Sequence, residues 1–265
     1  MTPCRITLVG AATTLLELGS FRLVTDPVFD PEGGRYTLRV LGGVPIGMRK
    51  TTGPAIPPEA LGRVDAVLLS HDQHQDNLDD SGRRLVASVA RTLTTPAAAR
   101  RLGGSALGLA PWESTELVGD DGARLRITAT PARHGPPGSQ FLVGAVTGFF
   151  LEWDGQRNGG LYISGDTVRF RGLREVGARL RVHTAVLHVG GAQFGLSGPV
   201  RYTMRARHVA AVARDVGARE VIPIHYEGWR HFREAESDAR AALESAALPC
   251  PLRWIARGQT LDLAL

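Results

Sequence analysis

The sequence predicts an α/β fold in which short, wholly apolar strands alternate with helical segments. Three observations carry that prediction. Apolar runs bounded by turn residues recur from Asp65 onward. The opening segment reads as a strand-rich meander. Of the 265 residues, 43% are apolar and 22% charged, a balance that supplies a sizeable core. No repeat, linker or composition break divides the chain, so a single domain over residues 1–265 is expected.

Taken in order, the meander consists of Ile6–Val9, Leu15–Leu18, a turn at Gly19-Ser20, and Phe21–Thr25, and Asp26-Pro27 ends it. From Pro31 to Pro58 glycine and proline recur with little periodicity, at Gly33-Gly34, Gly42-Gly43 and Pro57-Pro58. A long functional loop is predicted there: a lid, a contact between copies of the chain in a homo-oligomer, or both. Val67–Leu69 is the first buried strand. Thr95-Pro96 reads as an N-cap with proline at the first helical position, and Gly103-Gly104 stops that helix. Further strands are predicted at Arg124–Thr130, Gly148–Trp153, Leu161–Ser164, Ala185–Val189 and Glu220–Ile224. Thr203 caps a helix running to Val216 with Gly217 as its stop, and Phe232–Ala246 carries apolar residues at helical spacing.

Composition excludes several classes of function. No stretch reaches the roughly 18 to 20 apolar residues of a membrane helix, and the start lacks a signal-peptide pattern. A cytoplasmic protein without membrane insertion is expected. Cys4 and Cys250 lie near opposite ends and form neither a disulfide framework nor a structural zinc spacing, so they read as free thiols. The net charge of +5 invites a nucleic-acid reading, but Lys50 is the only lysine among 31 basic residues and the arginines are scattered. That scatter reads as a solvated surface rather than a stripe for nucleic acid.

Chemistry concentrates in Ser70-His71-Asp72-Gln73-His74-Gln75-Asp76-Asn77-Leu78-Asp79, directly after a buried strand. A turn there folds imidazoles and carboxylates around one point, as a metal site requires. Three single residues occupy the same kind of position after later strands: His134, Asp166 and His225. Strand ends in α/β folds gather at one edge, so these distant residues can meet. Each alone is weak evidence, because a lone histidine is more often a hydrogen-bonded structural residue.

The order of these segments resembles the metallo-β-lactamase superfamily, whose pattern is H-x-H-x-D-H, then His, then Asp, then His. The opening Thr13-Thr-Leu-Leu-Glu-Leu and Leu23-Val-Thr-Asp-Pro-Val-Phe-Asp resemble the branch containing ascorbate-phosphate lactonases and N-acyl-phosphatidylethanolamine phospholipase D. The resemblance implies a four-layer αββα sandwich, two mixed sheets flanked by helices, with metal at one edge. It implies that His71, His74 and His134 hold one ion, that Asp166 bridges, and that Asp76 with His225 holds a second. It makes Asp26 a carboxylate that orients ligands from behind. Zn2+, one or two ions, or Mn2+ is the expected cofactor. Asp76, His225 and His208 are the candidate catalytic residues, with His208 approaching the substrate. His188 ends another strand and reads either as lining the site or equally as a satisfied core histidine, and Tyr226, Trp229 and His231 read as a pocket wall.

The first motif departs from the family pattern. Anchored on His71, it meets Gln73 where histidine is due; anchored on Asp76, it meets Asp72 and Asn77. A one-residue shift that still presents His71, His74 and Asp76 is inferred, with Gln73, Asp72 or Asn77 as optional oxygen donors. The implied activity is hydrolysis of an ester, lactone or phosphodiester of a small, anionic substrate by a metal-bound hydroxide. Two other readings stand beside it. A nuclease or phosphodiesterase acting on nucleic acid would add a clamp domain, which the sequence lacks. A catalytically degenerate binding or regulatory protein is motivated by Gln73 and Asn77, and opposed by His134, Asp166 and His225.

Overall fold

A computed structural model describes residues 4–40, 44–194 and 197–265. The meander forms as three antiparallel strands, β1 (Cys4–Gly10), β2 (Thr13–Leu18) and β3 (Phe21–Thr25). Next comes a hairpin, β4 (Arg35–Val40) and β5 (Val44–Arg49). Then follow β6 (Ala66–Leu68), α1 (Asp80–Ser88), β7 (Thr92–Thr94), α2 (Pro96–Leu102) and β8 (Ala106–Gly108). The second half contains β9 (Ser114–Val118), β10 (Arg124–Pro131), α3 (Gln140–Val143), β11 (Thr147–Trp153) and β12 (Gly160–Ile163). It ends with α4 (Gly172–Arg179), β13 (Val182–His188), α5 (Val209–Val216), β14 (Glu220–Ile224), α6 (Glu236–Glu244) and β15 (Thr260–Asp262).

These strands make two large mixed sheets and the separate hairpin. One sheet runs β15-β1-β2-β3-β6-β7-β8; the other runs β14-β13-β12-β11-β10-β9. Each joins an antiparallel meander to parallel strands linked by helices, β6-α1-β7-α2-β8 in the first and β12-α4-β13-α5-β14 in the second.

The period-2 alternation of strand side chains assigns the layers. Leu23, Leu68, Phe149, Leu151, Leu161, Ile163, Val186 and Ile222 share one core between the sheets. Their neighbours Val24, Val67 and Leu69 turn outward onto Val86 of α1. On the second sheet Phe150, Tyr162, Ala185 and Leu187 turn outward onto Leu173 and Val176 of α4 and Val209, Val212 and Val216 of α5. Helix, sheet, sheet, helix is therefore the order of layers. Each fully buried Leu, Ile or Phe side chain contributes about 1.5–3 kcal/mol.

Local signals explain several boundaries. Thr95 Oγ1 accepts from Ala98 N ahead of Pro96, and Asp79 accepts from Gly82 N to cap α1. Gly217 stops α5 in the left-handed conformation at φ 69°.

Three expectations are corrected. The stretch from Pro31 to Pro58 holds the β4-β5 hairpin, whose Tyr36, Leu38, Ile46 and Met48 pack against Trp229 and Phe194; Gly42-Gly43 fall outside the described residues. The alternation is short and flanked by glycine, so it did not stand out. Thr203 does not cap α5: its hydroxyl accepts from Ala192 N, and the helix begins at Val209 after a 3-10 turn at Ala206–His208. Phe232 packs on the His225 and His231 rings, and α6 starts only at Glu236. Cys4 and Cys250 are both free. Among the described residues, no helix is long and apolar enough to cross a membrane.

Candidate metal centre

The sheet topology brings the site together. β3 and β6 are parallel, so Asp26 and the Ser70–Asp79 loop leave the first sheet at the same edge. In the second sheet β12, β13 and β14 are parallel and β10 runs in the same sense, antiparallel to β11, so His134, Asp166, His188 and His225 leave it together. Asp26 and His225 have positive φ, 33° and 65°. Such backbone costs a non-glycine residue about 1–3 kcal/mol, and here it turns each side chain at the strand end.

Two buried triads result. His71, His74 and His134 form the first; Asp76, Asp166 and His225 form the second. His74 Nδ1 lies 3.0 Å from His71 Nε2 and 2.9 Å from His134 Nε2. His134 Nδ1 donates to the Tyr202 carbonyl at 2.8 Å, which leaves Nε2 as a lone pair aimed at the other rings. In the second triad His225 Nε2 is 3.5 Å from Asp166 Oδ1 and 3.7 Å from Asp76 Oδ2, while His225 Nδ1 donates to Val189 O. Both Asp166 oxygens, Asp76 Oδ1 and His225 Nε2 are buried without a hydrogen-bond partner among the described residues.

Converging lone pairs and orphaned carboxylate oxygens in a buried place are what a cation would satisfy. Three imidazoles suit zinc, and the carboxylate-rich triad also suits a harder ion. The residues present therefore fit a metal centre.

The electrostatics of the two triads differ. Burial pushes His71 well below the ordinary imidazole range, assisted by the His74 and His134 charges, and burial likewise lowers His74. Burial and the His74 charge bring His134 down to about 3. These rings stay neutral and able to ligate at neutral pH. For His225 burial acts to lower the pKa, but the Asp166 charge and the hydrogen bond and charge of Asp76 outweigh it and raise it to about 9. Burial raises Asp166; the His225 charge only partly offsets this, and the Asp76 and Asp26 charges add to the rise.

Surrounding residues hold the two triads. Asp26 Oδ1 accepts from Ser70 N at 2.6 Å, at the start of the metal loop, and Asp26 Oδ2 lies 3.5 Å from His188 Nε2. His188 Nδ1 is 3.2 Å from Ser164 Oγ, so it packs behind the second triad. Lys50 pairs with Asp79 at 3.0 Å, tying β5 to the end of the loop. Of the three optional donors, Asp72 pairs with Arg101 and the Gln73 amide lies beside that pair, whereas Asn77 Nδ2 reaches Ser70 Oγ at 3.4 Å and its Oδ1 is buried without a hydrogen-bond partner among the described residues.

His231 is the residue whose position the sequence reading understated. The sequence places it in the pocket wall, where it does line a cleft, and in addition its Nε2 lies 2.9 Å from Asp76 Oδ2 while its ring stacks on Phe194. Only its place shortly after His225 hinted at this. His208 is the opposite case. It sits on the turn before α5, its ring nitrogens 3.3 Å from Arg205 N and 3.2 Å from Arg207 Nε, in a cleft with Arg171 and Asp215. Among the described residues it contacts neither triad. The late start of α5 leaves it there. Tyr226 donates to Ile255 O, and Trp229 packs under the hairpin.

Comparison with known proteins follows the same lines. The family described as a β-lactamase superfamily domain matches residues 21–226. A UPF0173 metal-dependent hydrolase of Methanoregula boonei is 27% identical over 263 residues, covering 97% of each chain. A possible metal-dependent hydrolase of Veillonella parvula has a similar structure, with a TM-score of 0.79 at 18% identity over 98% of this chain and 100% of that one. An isothiocyanate hydrolase from Delia radicum gut bacteria gives 0.74 at 20% identity over 98% and 99%. With a family match across most of its length and both sheets of the fold in place, the chain belongs to the metallo-β-lactamase superfamily.

Proposed function

We propose that this protein is a metal-dependent hydrolase that cleaves an ester, lactone or phosphodiester of a small, anionic substrate, with zinc or manganese as its metal. The observation that carries the reading is the pair of buried triads at one sheet edge, whose ring lone pairs and orphaned carboxylate oxygens converge. The metal-dependent hydrolase name of the Methanoregula relative supports it.

His71, His74 and His134 would hold one ion, and Asp76, Asp166 and His225 a second. Metal bound there supplies Lewis acidity and brings the pKa of a bound water towards about 7. The chain's own residues do the rest. Where only the histidine triad is filled, Asp76 keeps Oδ2 on His231 and its unpartnered Oδ1 can accept a hydrogen bond from the attacking water and orient it. In that state His225 holds a proton at Nε2 beside Asp76 and Asp166 and can deliver it to a leaving oxygen. A broad cleft of ≈ 1130 Å³ opens over His74 and admits a substrate past Gln73, Arg100 and the exposed Phe141.

The test is metal content per chain in protein purified without chelator, compared with His134→Ala and Asp166→Ala and paired with hydrolysis of nitrophenyl esters, lactones and bis(nitrophenyl) phosphate. About two equivalents are expected, falling to about one in each variant, with activity lost in both. No metal, and none regained from zinc or manganese, would sink the reading and favour a binding protein.

A further inference from the structure

The arginines that look scattered in the sequence are not scattered in space. Arg35 of β4 lies directly opposite Arg49 of β5. The ladder continues past β5: Lys50 bridges Trp229 antiparallel, and Arg230 N donates to Arg49 O at 3.1 Å, so Arg230 lies opposite Arg49 on its other side. Directly opposed residues share a face, with Cβ atoms about 4.5–5.5 Å apart. Arg35, Arg49 and Arg230 therefore make a row of three guanidinium side chains across three adjacent backbone segments. All three are exposed.

Like charges opposed on a ladder are destabilising, so the row works against folding unless a ligand uses it. Among the described residues no carboxylate lies within ion-pair distance of these three, nor of the exposed Arg233 nearby. All four line one cleft of ≈ 590 Å³, together with Phe194 and His231. That volume is the size of a small-molecule site rather than a track for a polymer. The cleft also abuts the metal centre, because His231 lines it and hydrogen-bonds Asp76.

We propose that this cleft is an anion subsite, in which Arg35, Arg49, Arg230 and Arg233 grip a phosphate or carboxylate group of the substrate while its scissile end reaches the second triad. The planar fork of arginine suits both oxyanions bidentately. The assignment rests on the hydrolase reading for its substrate, but the binding itself needs no metal.

The test uses inorganic phosphate and succinate as probes, titrated calorimetrically into chelated and into metal-loaded protein. Arg49→Ala/Arg230→Ala is compared with wild type and with Arg219→Ala, an exposed arginine outside the cleft. In both forms of the wild type at least one probe binds, and its affinity drops with added salt. In the double variant that affinity falls at least tenfold; in Arg219→Ala it is unchanged. Arg49→Lys/Arg230→Lys retains charge without the fork and falls in between. The tighter probe states whether the group is phosphate or carboxylate. Equal binding in the double variant, binding only with metal present, or tighter binding of a single-stranded oligonucleotide would overturn the assignment. Metal content distinguishes the two failures: none of these arginines is a ligand, so a metal-free protein that still binds the probe loses the hydrolase reading and keeps the subsite.

Discussion

Replacing Lys50 by Met tests how the hairpin is anchored over the metal loop. Lys50 is 3% exposed and Asp79 1%, and they pair at 3.0 Å. Asp79 also accepts from Phe29 N, Asp30 N and Gly82 N, at 3.0, 2.7 and 2.9 Å. Removing one partner of a buried pair costs about 3–5 kcal/mol, because the other charge is stranded. Three backbone donors still hold the Asp79 carboxylate after Lys50→Met, so the loss belongs at the low end, about 3 kcal/mol. Asp79→Ala is worse, about 4–5 kcal/mol: it strands the ammonium, removes the α1 cap and orphans two loop amides. Burial already pushes Lys50 below its ordinary pKa, so the stranded lysine can shed its proton, which limits that loss. The assay is urea denaturation followed by circular dichroism, with the double variant closing the cycle. Single losses near 3 and 4–5 kcal/mol with a coupling above about 1 kcal/mol are expected. A loss below about 1 kcal/mol for Lys50→Met, or additive single effects, would refute the anchor.

Two other outcomes follow from the site. His134 falls from its ordinary 6.5 to about 3 in the folded chain, so the unfolded chain binds the proton first. Its contribution is complete above pH 6.5 and is lost as pH falls towards 3. At pH 5 this one ring removes about 2 kcal/mol from the chelated protein, and His71 and His74 shift the same way. Urea midpoints at pH 8 and pH 5 check this; a flat profile would show that these rings are not buried neutral. Gly190 has φ 91°, and a Cβ there would overlap the His225 carbonyl oxygen. Gly190→Ala should lower stability by about 2 kcal/mol and weaken metal retention by the Asp76–Asp166–His225 triad, read by denaturation and metal content. Wild-type metal content at wild-type stability would show that the turn does not position His225.

The sequence revealed what local chemistry encodes. Apolar runs located nearly all the strands of the second sheet, because a strand covered on both faces needs no partner to look apolar. Thr95-Pro96 and Gly217 marked helix ends by mechanisms confined to a few residues. What was illegible depends on partners far along the chain. Thr203 has the residue type of a cap, but Ala192 N and Val189 O claim its hydroxyl. The hairpin strands alternate only weakly, and they gain their apolar face from Phe194 and Trp229.

The metal loop shows the same limit at the level of chemistry. The family pattern is broken at Gln73 and Asn77, and from sequence alone either residue was as good an oxygen donor as the other. Folding separates them: Arg101 pairs with Asp72 beside the Gln73 amide, Asn77 is buried with its Oδ1 unpartnered among the described residues, and the loop turns His71 and His74 onto His134. Asp76 receives its hydrogen bond from His231, 155 residues further on. A motif read along the chain cannot register that partner, because the imidazole that bonds Asp76 arrives from the loop after β14 of the other sheet. The departure that suggested a decayed site thus coexists with two sets of three ligand-type side chains, all of them buried.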